Sequence, residues 1–180
     1  MDIQIKKIIS RLDDLFVNQI IYDNFTVKSS VYLIQDTRQT IEFYNNFDLN
    51  KCKLGNWLEE KAHLYLMIYG FLQALVLQQD ALINICIAFK VSTKKQILDN
   101  DAFKEIREVR NSSIGHPANR RDHSKNFISQ TSVSQFYFEY IKVKDATFEI
   151  KRVNLKHLAD KQNNEVLKLI NKVEKKLDEL

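Results

Sequence analysis

The longest apolar stretch of the chain, residues 64–89, constrains the fold more than any other feature. A helix that is apolar on nearly all sides belongs at the centre of a bundle or in a membrane. A membrane span needs about 20 mostly apolar residues. Five polar residues interrupt this stretch: Gln73, Gln78, Gln79, Asp80 and Asn84. We therefore expect a buried central helix rather than a membrane span.

The composition fits one soluble and mostly helical domain. At 180 residues the chain is long enough to bury a substantial core. Its 44% hydrophobic and 28% charged residues are typical of globular rather than disordered proteins. Only three glycines and one proline are present, which favours long helices with few tight turns. We predict a single domain over residues 1–180.

Apolar residues at three- and four-residue spacing predict further helices around the central one. They are expected over residues 2–22, 28–47, 99–113 and 154–180. The central helix should begin after Asn56, an N-cap residue with Glu59 in the capping-box position, and end near Phe89. Residues 91–95 break the pattern. The prediction is a mainly α fold, a bundle of about four to five helices.

Before the last helix the apolar period changes from 3.6 to 2, which indicates β-strands. Large apolar residues alternate with their neighbours on both sides of a turn at residues 144–146: Phe136, Phe138, Tyr140, Phe148 and Ile150. This pattern predicts a β-hairpin or, with a third short strand near residues 127–131, a three-stranded antiparallel element. The domain then divides into a helical bundle over 1–126, a β element over 127–153 and a C-terminal helix over 154–180. Alternation places half of the hairpin aromatics in the core, so the pattern alone does not favour base stacking.

Charge and cysteine content bear on partners and compartment. A net charge of +4 and a pI near 8.9 are compatible with a polyanionic partner but too small to indicate one. Cys52 and Cys86 form no CxxC pair and no metal-like spacing with histidine, so both are expected as reduced thiols. The N-terminus shows no apolar signal-peptide region. We expect a cytoplasmic protein with no metal ion, cofactor or membrane association.

The segment over residues 106–117 bears most directly on function. Arg110 and Asn111 stand where a helical pattern ends, and His116 follows the arginine by six positions. A Gly-His-Pro break stops the helix and moves His116 out of the α region. A fixed cation, an amide and a titratable imidazole are groups that can act on a phosphodiester.

The same residues also have a purely structural interpretation. Cations are favoured near helix C-termini, so Arg110 could be an ordinary surface arginine and His116 an ordinary loop residue. The bare spacing is weak evidence of function, because Arg152 and His157 nearly repeat it. The residue after the arginine distinguishes the two matches. Asn111 follows Arg110, whereas a valine follows Arg152.

The first match resembles the motif of catalytic members of the HEPN superfamily (higher eukaryotes and prokaryotes nucleotide-binding domains). Those members carry an arginine, a following polar residue and a histidine after four to six positions. The run in this chain is Arg110-Asn111-Ser112-Ser113-Ile114-Gly115-His116. The central helix is also similar to that of bacterial HEPN-type proteins, in Tyr69-Gly70-Phe71-Leu72-Gln73-Ala74-Leu75 with Gln78-Gln79-Asp80-Ala81. The resemblance spans roughly residues 55–120, and the hairpin and last helix lie beyond the minimal HEPN bundle.

The resemblance implies metal-independent cleavage of RNA, in which a 2′-OH attacks the adjacent phosphate and leaves a 2′,3′-cyclic phosphate. It implies that His116 acts as a general acid or base, that Arg110 holds the phosphate, and that Asn111 orients a phosphate oxygen or the histidine. It also implies a homodimer in which two motifs face one cleft. A toxin or phage-defence effector in a bacterium, with an antitoxin or regulatory partner protein, would fit this activity.

Other residues are candidates for supporting roles. Gln79 and Asp80 lie in the central helix, where a carboxylate is costly unless it is paired. Asp80 is therefore expected either to pair with Arg107 or Arg110, or to lie at a gap open to solvent or form a hydrogen bond within the core. A basic loop after the motif either contacts RNA phosphates or is simply solvated. Its residues are Arg120, Arg121, His123 and Lys125.

Two alternatives to a ribonuclease stay open at this point. The same bundle could be a non-catalytic dimeric module that binds a nucleotide, RNA or a partner protein. It could also be a structural helical protein in which the motif arose by chance. No GxGxxG, P-loop, HExxH or GxSxG motif points to another class of enzyme.

Overall fold

The computed structural model describes residues 10, 24–51, 56–115 and 124–179. Within these residues the chain is a helical bundle with a three-stranded antiparallel sheet placed before the C-terminal helix. The predicted fold class is confirmed. The predicted N-terminal helix over residues 2–22 falls, apart from Ser10, outside the described residues.

The helices follow one another along the chain as α1 to α5. They are α1 (Asn24–Asn46), α2 (Trp57–Ala88), α3 (Lys94–Leu98), α4 (Asp101–Arg110) and α5 (Leu155–Asp178). A 3₁₀ turn at Leu49–Lys51 follows α1, and a π-helical turn at Asn111–Gly115 follows α4. The strands are β1 (Lys125–Ile128), β2 (Tyr137–Lys144) and β3 (Thr147–Asn154).

The central helix begins where its cap predicts. Asn56 Oδ1 accepts hydrogen bonds from the backbone N–H groups of Leu58 at 3.0 Å and Glu59 at 3.1 Å. Such a cap satisfies donors that a helix start leaves unpaired. The Glu59 carboxylate also accepts a bond from Asn56 Nδ2 at 3.2 Å. The predicted N-cap is therefore confirmed.

Burial within the bundle accounts for the apolar character of α2. Its segment Leu58–Ala88 is long and apolar enough to cross a membrane by length and composition alone, with a hydropathy of 1.4. However, 67% of the apolar window is buried inside the protein, and α2 packs against α1, α4 and α5. The prediction of a central bundle helix is confirmed.

The core lies along α2 in two adjoining parts. The part next to the sheet includes Phe71, Leu72, Leu75, Phe138 and Leu155. The part at the other end of α2 includes Leu82, Cys86, Phe103, Val166 and Ile170. Since α2 contributes to both parts, it connects the sheet end of the domain to the end where α1 begins.

Tyr44 fastens the last turns of α1 to the sheet end of the core. Its ring stacks on Phe71 with centroids 4.1 Å apart, and its hydroxyl donates to the backbone carbonyl of Gln135. The Gln135 amide in turn donates to the Phe47 carbonyl at 2.5 Å. Buried aromatic rings with a satisfied hydroxyl are strong packing elements, so this cluster fixes α1 against the chain that enters β2.

The hairpin has the form that its sequence predicts. Lys144 pairs with Thr147 across the β2–β3 ladder, which leaves Asp145 and Ala146 as a two-residue turn. Both turn residues have positive φ, 47° and 64°, as a type I′ turn requires. The predicted third strand is also present as β1, which pairs antiparallel with β2 and begins at Lys125. The β element thus begins two residues earlier than predicted.

The segment between α2 and α4 is more ordered than its sequence suggested. Residues 91–95 were expected only to break the helical pattern, but α3 begins within them. Thr93 Oγ1 accepts from the Gln96 backbone N–H at 3.2 Å, and Gln96 Oε1 accepts from the Thr93 backbone N–H at 3.0 Å. This reciprocal capping box stabilises a short helix. The next helix starts after Asn100, its N-cap.

Two buried groups that can lose a proton, the Cys86 thiol and the Tyr44 hydroxyl, should make the free energy of unfolding depend on pH in the alkaline range. Burial raises the pKa of the Cys86 thiol from 9.0 to about 11, although nearby Lys172 opposes the shift, and burial also raises the pKa of the Tyr44 hydroxyl. Both groups ionise more readily in the unfolded chain. The contribution of Cys86 is therefore complete below pH 9.0 and is lost as the pH rises toward about 11. The contribution of Tyr44 begins to fall only above its ordinary pKa of 10.0.

Urea unfolding across this pH range measures the effect. The free energy of unfolding should fall with increasing pH, and Cys86→Ala should make the fall shallower even if it lowers stability throughout. An unfolding free energy that stays constant up to the highest pH would contradict the shifted pKa values.

Candidate functional site

The candidate site lies where α4 ends against α2. Arg107 and Arg110 occupy the last turn of α4, where the helix dipole favours cations. The chain then widens into the π turn Asn111–Gly115. The sequence had predicted an ordinary helix continuing to about Ser113, and that expectation is wrong in the type of helix. Wide turns of this kind are frequent at functional sites.

Arg110 is held in place by two neighbours. Its Nε and Nη2 both donate to Gln73 Oε1, at 3.3 and 3.1 Å, and its Nη1 donates to Asn111 Oδ1 at 2.9 Å. Arg110 and Gln73 are half-buried, whereas Asn111 is exposed. The two described residues of the predicted triad are thus in direct contact. Sequence reasoning missed the role of Gln73, although a polar residue inside an apolar helix was a signal for it.

These contacts leave part of the Arg110 guanidinium able to bind a ligand. A guanidinium carries five N–H donors, and three of them are used by Gln73 and Asn111. Among the described residues nothing else bonds to this group, so one donor on each of Nη1 and Nη2 is left, which is the number that a bidentate contact with a phosphate requires. The fixed orientation lowers the entropy lost when such a contact forms.

Arg107 makes a second polar contact between α4 and α2. Its Nε donates to Gln79 Oε1 at 2.8 Å, and its Nη2 forms an ion pair with Asp80 Oδ1. The Asp80 side chain is 51% exposed. Both interpretations of Asp80 therefore hold in part, because its carboxylate is paired with an arginine and also open to solvent.

A cluster of three fully buried glutamines lies behind Arg107. Gln79 Nε2 donates to Gln162 Oε1 at 2.7 Å. Gln162 Nε2 donates to Gln78 Oε1 at 2.9 Å and to the Leu75 carbonyl at 3.0 Å. All three glutamines have 0% exposure. We name Gln78, Gln79 and Gln162 the glutamine cluster; it links α5 through α2 to Arg107 on α4.

Sequence reasoning missed the part that α5 plays in this site. Gln162 stands in the polar run Lys161-Gln162-Asn163-Asn164, but it precedes Val166 by four positions and so lies on the apolar stripe of α5, which is the signal that could have found it. The cluster is also not fully satisfied, since Gln78 Nε2 has no hydrogen-bond partner within the parts of the chain that the structure covers. Buried polar groups usually have partners, so this atom is an exception.

The other predicted site residues are distributed differently. His116, Arg120, Arg121 and His123 lie outside the described residues. Lys125 is exposed at the start of β1. The π turn contacts both β1 and β2, so the sheet adjoins the segment that carries Asn111. Across residues 24–51, 56–115 and 124–179, no three His, Cys, Asp or Glu side chains form a group that could hold a metal ion.

Comparison with protein-family models, with curated proteins and with solved structures gives no match to this chain. Function is therefore inferred from the geometry and chemistry of the site itself.

Proposed function

We propose that the protein is a metal-independent endoribonuclease. The 2′-oxygen of a ribose forms a bond to the adjacent phosphorus while the bond to the 5′-oxygen of the next nucleotide breaks. The products are a 2′,3′-cyclic phosphate and a 5′-OH. The observation that carries the proposal is the contact of Arg110 with both Gln73 and Asn111, which leaves two of its donors open at a helix end.

Arg110 would stabilise the charge that develops on the phosphate. As the 2′-oxygen attacks, negative charge grows on the non-bridging oxygens, and a fixed cation with two open donors binds that state more strongly than the substrate. Asn111 would orient either a phosphate oxygen or the catalytic histidine. Its Oδ1 is already occupied by Arg110, so its amide N–H groups are the atoms left for this role.

His116 would transfer the protons of the reaction. Histidine exchanges protons near neutral pH and is the commonest general acid or base in enzymes. It follows directly after Gly115, the last residue of the π turn. One proton leaves the 2′-OH and one reaches the departing 5′-oxygen, so two histidines from two protomers would complete the reaction.

The contacts of Arg107 with Asp80 and Gln79 would help to position Arg110. These contacts hold the last turn of α4 against α2, which limits the movement of Arg110 one helical turn further on. Catalytic groups gain from such fixed supports, because small displacements reduce the rate strongly.

An open face of α2 beside the site would accommodate the second protomer. Leu66 is 70% exposed, and a side-chain carbon added at Gly70 would meet nothing within 4 Å. Both residues lie within two helical turns of Gln73, so a symmetric contact here would bring two sites near each other. We extend the proposal to a bacterial toxin or phage-defence effector in the cytoplasm, controlled by an antitoxin or other partner protein.

The second candidate function is a non-catalytic dimeric module. The two open donors of Arg110 could hold the phosphate of a nucleotide or RNA without any proton transfer by His116. This candidate predicts binding without cleavage, so the same experiment separates it from the first.

Cleavage of a mixed set of RNAs by the purified protein in EDTA tests the proposal. We expect products ending in 2′,3′-cyclic phosphate and 5′-OH, with cleavage lost in His116→Ala. The matched control is His157→Ala, which changes the histidine of the other motif-like spacing and should cleave normally. Folded dimeric protein that binds RNA but yields no cleavage products would favour the binding module instead.

A further inference from the structure

The sheet has an outward face that points away from the core. The register places Phe127, Ile141 and Ile150 side by side across the three strands, and the next row on the same face holds Phe148. The opposite face carries the buried side chains of Phe138 and other core residues. In a pleated strand, alternate residues share a face, so these apolar side chains all lie on the solvent side.

This outward face is unusually apolar for a solvated sheet. Exposure is 73% for Phe148, 54% for Ile150, 50% for Phe127 and 47% for Tyr137. An antiparallel sheet with one face on the core normally presents polar residues to water. A contiguous exposed apolar face marks a binding site. We use "the outward face" for Phe127, Tyr137, Phe148, Ile150 and Arg152.

Three rings and one guanidinium form a set of flat surfaces on this face. Phe127 belongs to β1, Tyr137 to β2 and Phe148 to β3. Arg152 lies in the row next to Ile150, and its Nε and Nη2 donate to Glu139 Oε1 at 3.0 and 2.8 Å. These bonds orient the guanidinium while its side chain stays 76% exposed. Every strand thus offers at least one planar group.

We propose that the outward face binds single-stranded RNA, with unpaired bases stacked on Phe127, Tyr137, Phe148 and the plane of Arg152. The identity of the ligand as RNA rests on the proposed function, and the inference adds the single-stranded form of that substrate. Sequence-tolerant stacking on aromatic rings and arginine planes is how sheets bind unpaired bases. Duplex RNA hides its bases and cannot use such a surface.

Charge on the sheet is complementary to a polyanion. On the solvent side of the sheet the register places two cations, Lys125 and Arg152, and one acidic residue, Glu139. Lys125 lies on the outward face, in the same row as Phe148. The backbone phosphates of a strand stacked on the rings would neutralise these cations.

The sheet is also placed to serve the candidate site. β1 and β2 contact the π turn that begins at Asn111, and Asn111 bonds to Arg110. Ile114 of the π turn packs against the core cluster that the inner face of the sheet covers, so RNA on the outward face would reach Arg110 by passing around the edge strand β1. A second copy of this chain is the competing occupant, and sedimentation of Phe148→Ser distinguishes it from RNA.

Binding to a labelled oligonucleotide of about 12 nucleotides tests the inference. The oligonucleotide is 2′-O-methylated, so no 2′-OH is present and the wild-type protein binds it without cleavage. Phe127→Ser and Phe148→Ser should each weaken binding about tenfold or more. The control is Phe43→Ser, since Phe43 is 63% exposed on α1 and should not contribute. The same RNA annealed to its complement should bind more weakly than the single strand.

Three results would overturn the inference. They are no binding by the wild-type protein, equal binding by the outward-face variants and the wild type, and equal binding of single strand and duplex. Sedimentation adds a further criterion, because a dimer dissociated by Phe148→Ser with unchanged RNA binding would assign the face to a second copy. Cleavage is scored separately, so failure of the nuclease proposal does not alter these comparisons.

Discussion

Replacing Arg110 with alanine is expected to lower the rate of RNA cleavage by about 10²- to 10³-fold. The variant loses the cation that is proposed to stabilise the negative charge developing on the phosphate. The fold should be preserved, because the side chain is half-buried and its partners Gln73 and Asn111 can bind water instead. Single-turnover cleavage at saturating protein measures the rate without a contribution from substrate binding.

Arg110→Lys separates charge from geometry. Lysine keeps the positive charge but cannot form a two-pronged contact with phosphate, so it should restore less than half of the lost activation free energy. Arg38→Ala is the matched control, since Arg38 lies on α1 in an ion pair with Glu42. Wild-type rates in Arg110→Ala would remove Arg110 from the mechanism, and equal losses in Arg38→Ala would point to a general effect on folding.

Replacing Gln162 with alanine is expected to lower the free energy of unfolding by about 3–5 kcal/mol. The substitution removes a fully buried side chain that bonds to Gln78, Gln79 and the Leu75 carbonyl. It leaves a cavity between α5 and α2, and it leaves amide groups of the two remaining glutamines without partners. Both effects are costly in a site that water does not reach.

Gln162→Met separates the cost of the cavity from the cost of the unpaired amide groups. Methionine has a similar length and fills most of the space, so its loss of about 1–3 kcal/mol reports mainly the unpaired amides. The control is Asn164→Ala, an exposed position two residues away on α5, which should change stability by about 0.5 kcal/mol or less. Urea unfolding followed by circular dichroism measures all three variants. Full stability in Gln162→Ala would contradict the buried hydrogen bonds.

Sequence patterns predicted the fold well where one physical effect dominates. The apolar run in α2 had to be buried, and Asn56 marks its start because only a few side chains can cap a helix. The hairpin followed from strict alternation around a two-residue turn. In each case the local preference and the tertiary environment favour the same structure, which is why a short window of sequence was sufficient.

Predictions were weaker where local signals were short. The Thr93 and Gln96 pair that caps α3 is a recognisable capping box, but the five-residue helix after it has too few apolar positions to show a period. The π turn after Arg110 has no distinct sequence pattern, because its hydrogen bonding differs from an α-helix by a single residue per turn. The turn contacts β1 and β2, which are distant in sequence.

The candidate site was predicted in part. Arg110 and Asn111 are adjacent in sequence, so their proximity was given, whereas the contact of Arg110 with Gln73 joins residues 37 positions apart. The pairing of Asp80 with Arg107 was one of two stated alternatives and is present. Gln162 was missed although it lies four positions before Val166 on the apolar stripe of α5, because the residues next to it in sequence are polar. His116 stays a prediction, since it lies outside the described residues.

The glutamine cluster has a consequence for how the helices find their alignment. The apolar stripe of α5 includes Val166, Ile170, Val173 and Leu177, and such a stripe could slide by one turn along α2 with little change in buried apolar area. Amide pairs do not tolerate sliding, because a displaced Gln162 would have no partners at all. We infer that the cluster selects one register among several of similar apolar area, as single buried polar residues do in coiled coils. Arg107 binds Gln79, and Gln79 binds Gln162 of α5. Arg107 is thereby positioned by α5, a helix that contains none of the predicted site residues.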